Sequence, residues 1–99
     1  MQTSFFPGWA YMLKPAYTNQ FKKELDLMIR RGKDKLKITA VITALIEQRP
    51  LEPKHRDHAL TGNFKGRRDC HVEPDWVLIY KVNDDEIIFE RTGTHNDLF

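Results

Sequence analysis

The sequence predicts a single α+β domain, with an N-terminal antiparallel helix pair packed on one face of a mainly antiparallel β-sheet. Two observations lead there. Residues 19–31 and 35–46 each carry an apolar stripe at helical spacing, and the link between them is short enough to force an antiparallel return. Residues 66–72, 76–82 and 86–92 are rich in β-branched and aromatic residues and are separated by tight polar connections, the pattern of hairpin-linked strands. With a short first strand near residues 13–17 the order becomes β–α–α–β–β–β. Only two helices are available, so the opposite sheet face is expected to be partly open.

In chain order, residues 1–11 lack useful periodicity and contain Pro7 and Gly8, so they read as a loosely ordered extension before a domain spanning residues 12–99. Pro15 places the first strand at a sheet edge or a strand end. Thr18 or Asn19 can cap the first helix, whose apolar face is Phe21, Leu25, Met28 and Ile29. Gly32 suits the left-handed position after it, and Arg30 and Arg31 complement its carbonyl end. Asp34 can cap the second helix, with Ile38, Val41, Ile42, Leu45 and Ile46 as its stripe and Pro50 and Pro53 beyond its end. Residues 50–64 form a polar connector carrying Lys54, His55, Arg56, Asp57 and His58, and irregular stretches of that length in small domains are commonly functional or mobile. Glu73-Pro74-Asp75 is a tight connection into residues 76–82, read as the buried central strand, and Asn83-Asp84-Asp85 is the next hairpin turn. Alternation in residues 86–92 is imperfect, and residues 93–99 are a tail.

Composition narrows the function. At 40% hydrophobic and 30% charged the chain is globular, and one cysteine excludes an intramolecular disulfide framework and suits a reducing cytoplasm. No apolar run approaches a membrane span, and the N-terminus lacks the pattern of a signal peptide. The net charge of +2 hides an asymmetry: residues 14–37 carry +5, residues 49–72 carry +3 and residues 73–99 carry −5. A basic first half points to an anionic partner such as nucleic acid, although lysine-rich helix faces are also common as solvated surface.

None of the four histidines is spaced as a helical ligand pair, so neither a metal nor a cofactor is expected. Cys70 and His71 are adjacent on a strand and point to opposite faces, which reads Cys70 as a packed thiol rather than a nucleophile. Acid–base chemistry on RNA fits better. Cleavage of a phosphodiester through its own 2′-hydroxyl needs one proton acceptor, one proton donor and cations for the developing charge. His58, His71, Asp75 and His95 can supply proton transfer, Lys65, Arg67 and Arg68 the charge, and Trp76 or Phe99 a stacking surface. Trp76 is equally readable as core, and the two arginines as solvated.

Three blocks, DHALTGNFKG (residues 57–66), RDCHVEPDWVLIY (residues 68–80) and FERTGTH (residues 89–95), resemble the YafQ-like toxins of the RelE/ParE superfamily, at matching order and spacing. The resemblance covers about residues 12–99. It implies a RelE-like fold and a ribosome-dependent endoribonuclease that cuts mRNA in the decoding site by a metal-free acid–base mechanism. The family's functional positions match His58, His71, Asp75, Trp76, His95 and Phe99. Lys22, Lys23, Arg30, Arg31 and Lys54 join Lys65, Arg67 and Arg68 as candidates for contacting RNA backbone. A DinJ-type ribbon-helix-helix antitoxin is the implied partner, with operator DNA reached only through it. Such a partner is also reasonable physically, because an acidic chain that folds on binding can mask a basic groove. Two alternatives stay open: a ParE-like gyrase poison on the same fold, and a non-catalytic basic RNA-binding domain.

Overall fold

Pro15 and the helix-capping Thr18 frame the first element of the computed structural model, which describes residues 11–99. The expected extension therefore lies, apart from Tyr11, outside the described residues. β1 (Lys14–Tyr17) is an edge strand and runs parallel to the last strand, so a proline there breaks no central ladder. α1 (Asn19–Arg30) begins where the Thr18 hydroxyl accepts the Phe21 N–H. It ends in a Schellman arrangement, with Gly32 at φ +96° and N–H groups of Gly32 and Lys33 donating to Ile29 and Met28 carbonyls. α2 (Lys35–Ile46) starts at the Asp34 carboxylate, which accepts the Leu36 N–H.

The sheet has five strands in the order β1-β5-β4-β3-β2, where β2 is His58–Ala59, β3 Arg68–Glu73, β4 Trp76–Asn83 and β5 Glu86–Gly93. All pairs except β1 with β5 are antiparallel. Two elements differ from the sequence expectation. The connector is not wholly irregular, since it holds two single-turn 3-10 segments and the two-residue β2, which extends the sheet beyond β3. The tail is helical, as α3 (His95–Leu98). Neither segment is long enough to show a periodicity. The imperfect alternation of β5 has a cause: the register with β4 shifts between Ile79 and Tyr80, so a bulge interrupts the pleat.

β4 is buried on both faces from Trp76 to Tyr80. Trp76, Leu78 and Tyr80 join Cys70, Val72, Ile87 and Phe89 beneath Phe21, Met28, Ile38, Val41 and Leu45 of the helices. Val77 and Ile79 face the other way into a smaller cluster with Leu98, packed by Leu60 and Phe64. Among the described residues, the second face is thus covered by the connector and α3.

Two polar anchors hold the layers in register. Thr92 in β5 accepts the Trp76 indole N–H at 2.9 Å and donates its own hydroxyl to the Val77 carbonyl at 2.8 Å. Glu24 of α1 accepts from the Arg91 guanidinium at 2.7 and 2.9 Å and from the Thr92 N–H at 3.1 Å. α3 is seated by a capping box between Thr94 and Asp97, and Asp97 also takes Arg31 of α1 at 2.8 Å. That guanidinium, helped by the Thr94 N–H, holds the Asp97 carboxyl down at about 2. The folded pKa is depressed, so this contribution is present above the ordinary 3.8 and is lost as pH falls towards 2.

Thr92→Val keeps the shape but strands a buried indole N–H. It is expected to cost about 1–3 kcal/mol, read as a lower urea midpoint at unchanged slope. A Cβ at position 93 would stand 2.9 Å from the Asp97 Cβ, inside any normal contact. Gly93→Ala is therefore expected to push α3 from its seat, moving amide resonances of residues 94–99 while those of α1 hold. An unchanged spectrum would show that Asp97 yields freely.

Candidate active site

The pleat of β3 sorts its side chains. Cys70 and Val72 enter the helix-side core, while Asp69 and His71 point to the opposite face. His71 lies across from Val77 and Asp69 across from Ile79, the two β4 residues of the smaller cluster. β2 places His58 directly opposite Asp69. The two-residue turn Pro74-Asp75 between β3 and β4 projects Asp75 at one end of this face, where α3 delivers His95.

These groups meet. His95 donates its backbone N–H to Asp75 Oδ1 at 2.9 Å and its Nδ1–H to the same oxygen at 2.6 Å. The His95 and His71 rings are edge to face with centroids 5.1 Å apart. His58 Nδ1 lies 3.3 Å from Asp69 Oδ1 but donates its hydrogen to the Arg56 carbonyl, 2.6 Å away. His55, by contrast, has its Nδ1 2.6 Å from the His71 carbonyl, and so supports the strand backbone. The turn is itself tethered: Lys33 and Lys37 reach Glu73 at 2.8 and 2.7 Å, joining the start of α2 to the hairpin that carries Asp75.

Electrostatics distinguish the members. The His95 backbone and ring N–H groups hold the Asp75 carboxyl below its usual range, so it is a carboxylate at neutral pH. Burial, followed by the neighbouring charges of His95, Arg56 and His58, depresses His71 below the ordinary 6.5, with Asp69 opposing. Burial raises the Cys70 thiol far above its usual range, and this side chain has no exposed surface. Among the described residues no group of three or more histidines, cysteines or carboxylates is placed to hold a metal ion.

Two expected site residues are not where the sequence reading put them. Trp76 is 0% exposed in the helix-side core, so it cannot stack on a ligand, and its role is packing. Arg68 alternates with Asp69 and therefore lies on the helix side, near Asp57 at 3.4 Å, away from the histidines. Arg67 is ion-paired with Glu90 at 2.8 Å and Arg31 with Asp97. Phe99 keeps an open ring, 59% exposed, beside His95 and edge-on to Phe64. Lys65 and Lys54 are exposed on the connector, and Lys22, Lys23 and Arg30 on α1. Asp69 is the residue the sequence reading left without a role. Its signal was its position two before His71 on a strand, which puts both on one face.

The match to known proteins is extensive. Residues 13–99 fit the family described as the bacterial toxin of type II toxin–antitoxin system, YafQ. The mRNA interferase toxin YafQ of Escherichia coli K12 is 49% identical over 84 residues, 84% of this chain and 91% of that protein. The crystal structure of YafQ from E. coli BL21(DE3) superposes with a TM-score of 0.84 at 45% identity, covering 88% of this chain and 98% of that one. YafQ in the E. coli DinJ–YafQ toxin–antitoxin complex gives 0.82 at 46% identity, covering 89% and 98%. With the family pattern spanning nearly all the described residues, this chain belongs to the YafQ family of bacterial toxins of type II toxin–antitoxin systems.

Proposed function

We propose that this chain is an mRNA interferase, a ribosome-dependent endoribonuclease that cleaves mRNA in the decoding site by acid–base catalysis without a metal. The observation that carries the reading is the meeting of His71 with His95 and its Asp75 partner at one end of an otherwise open sheet face. A gyrase poison on the same fold has no use for such a set.

In the proposed reaction the RNA 2′-oxygen attacks the adjacent phosphorus, its proton passes to a base, and the 5′-oxygen leaves with a proton from an acid. His71 suits the base, because its depressed pKa leaves it neutral at working pH. His95 suits the acid. Its Nδ1–H is committed to Asp75, which fixes the ring and leaves Nε2 to face the leaving oxygen. Asp75 thus orients and stabilises the imidazolium rather than moving the proton itself, as in triads of the same logic. His58 stands beside Asp69 on the same face, and the open Phe99 ring offers a base-stacking surface. Lys54 and Lys65, with Lys22, Lys23 and Arg30 on α1, would meet RNA backbone. The E. coli relative is held by DinJ, and a DinJ-type antitoxin is the proposed partner here. A cytoplasmic location follows from a ribosomal target. The described residues contain no helix long and apolar enough to cross a membrane.

The test is a translation extract programmed with a defined mRNA and read by primer extension. His71→Ala and His95→Ala are each expected to lose roughly 10²–10⁴-fold in cleavage rate, with Asp75→Asn losing less. Phe99→Ala is expected to weaken substrate binding. Full cleavage by both histidine variants would sink the assignment. Protein dialysed against EDTA before mixing is expected to cut as fast as untreated protein. The pH profile carries a sign: a base with a depressed pKa gives a rising limb centred below the ordinary 6.5. A rising limb above that value would exclude His71 as the base.

A further inference from the structure

Asp69 is 4% exposed, and its Oδ1 has no hydrogen-bond partner. Buried carboxylates are ordinarily paired, because an uncompensated charge in the interior is strongly destabilising. Here the nearest nitrogen, His58 Nδ1, stands 3.3 Å away with its hydrogen committed to the Arg56 carbonyl. On the same strand face His71 follows two residues later, and His95 packs against His71. Ile79 and Val77, facing this stretch from β4, are apolar and offer no competing charge.

We propose that Asp69 is a positioning residue, a buried counter-charge beneath the histidine cluster that keeps His71 basic enough to take the 2′-proton. The titratable groups acting on it are His58 and Asp57 from the connector, His71 on its own strand and His95 from α3. Burial raises its own pKa, while the three imidazoles pull it back. The coupling works in both directions. Asp69 raises the pKa of His71, against burial and the influence of His95, Arg56 and His58. Its burial also confines Asp69 to a supporting part, out of reach of RNA.

The inference builds on the nuclease reading, but its test does not need RNA. In the full-length chain, Asp69→Asn preserves size and removes the charge. His71, followed by its ring proton resonances, is expected to titrate about one pH unit lower than in the parent. The rising limb of the cleavage profile should move down with it while thermal unfolding stays cooperative. An unmoved His71 titration would overturn the proposal, even if cleavage fell. A moved titration with no cleavage in either protein would overturn the nuclease reading alone. Should Asp69→Asn fail to fold, the parent protein still decides: its Asp69 carboxyl carbon should be ionised at neutral pH and respond as the histidines titrate. A carboxyl that stays protonated there would exclude a counter-charge.

Discussion

The pleat of β3 is the constraint on which the site depends. One six-residue strand sends Cys70 and Val72 into the core under the helices, and Asp69 and His71 to the opposite face. A one-residue slip against β4 would exchange the two sets, burying an imidazole in the core and exposing a thiol. The apolar demand of Cys70, Val72, Trp76, Leu78 and Tyr80 therefore fixes where His71 points. In this sense the chemistry is positioned by burial, and the histidine contributes little to its own placement. The β3–β4 turn follows from the same register. Glu73 pairs with Trp76, Asp75 falls in the turn, and the two lysines on Glu73 keep that turn from swinging.

The opposite face is thinly covered, and that is also what makes it available. Val77, Ile79 and Leu98 with Leu60 and Phe64 make a small cluster, enough to seat α3 but not to seal the sheet. α3 is four residues long and has no helical stability of its own. It stays because Leu98 is buried, because Thr94 and Asp97 cap it reciprocally, and because Arg31 ties it to α1. His95 is the first residue of that helix, so its backbone N–H is still unspent and can be given to Asp75 together with the ring N–H. Helix start and site are one structure.

Much of this was legible in the sequence, and the limits were physical. Both long helices and their caps were readable, because Thr18, Gly32 and Asp34 act within a few residues of themselves. β2 and α3 were not, since two and four residues cannot display a period, and both exist only through tertiary partners. Trp76 carried a double meaning that only burial resolves: an indole beside a catalytic-type block stacks on a ligand or fills a core, and here it fills the core with its N–H spent on Thr92. The four proposed acid–base residues do gather on one face, but their spacing in the chain, from 58 to 95, says nothing about that. Asp69 escaped notice for a simpler reason. An aspartate at a strand position reads as solvated until its neighbours are seen.

The distribution of unpaired cations sharpens the picture of how an anionic chain would approach. Arg31, Arg67, Arg68 and Arg91, with Lys33 and Lys37, are each matched to a carboxylate within the fold. Their charge holds the layers together and adds little to the outside field. Among the described residues, Lys22, Lys23 and Arg30 on α1 and Lys54 and Lys65 on the connector have no such partner, and all five are exposed. Lys23 and Arg30 also border the crevice between α1 and the α3 seat, beside Thr92 and Asp97. Arg56 on the connector, Lys35 on α2 and Lys81 on β4 are likewise without an ion-pair partner among the described residues, so the unmatched positive charge is concentrated along α1 and the connector but not confined to them. On the proposed reading, long-range attraction is left to these exposed cations, where losing one changes approach rate and salt dependence. The centre is built of imidazoles, whose protonation can change during a reaction as that of a lysine or arginine cannot. A carboxylate buried beneath them then has a reason to be there, because it opposes the burial and neighbouring charge that would leave His71 too weak a base.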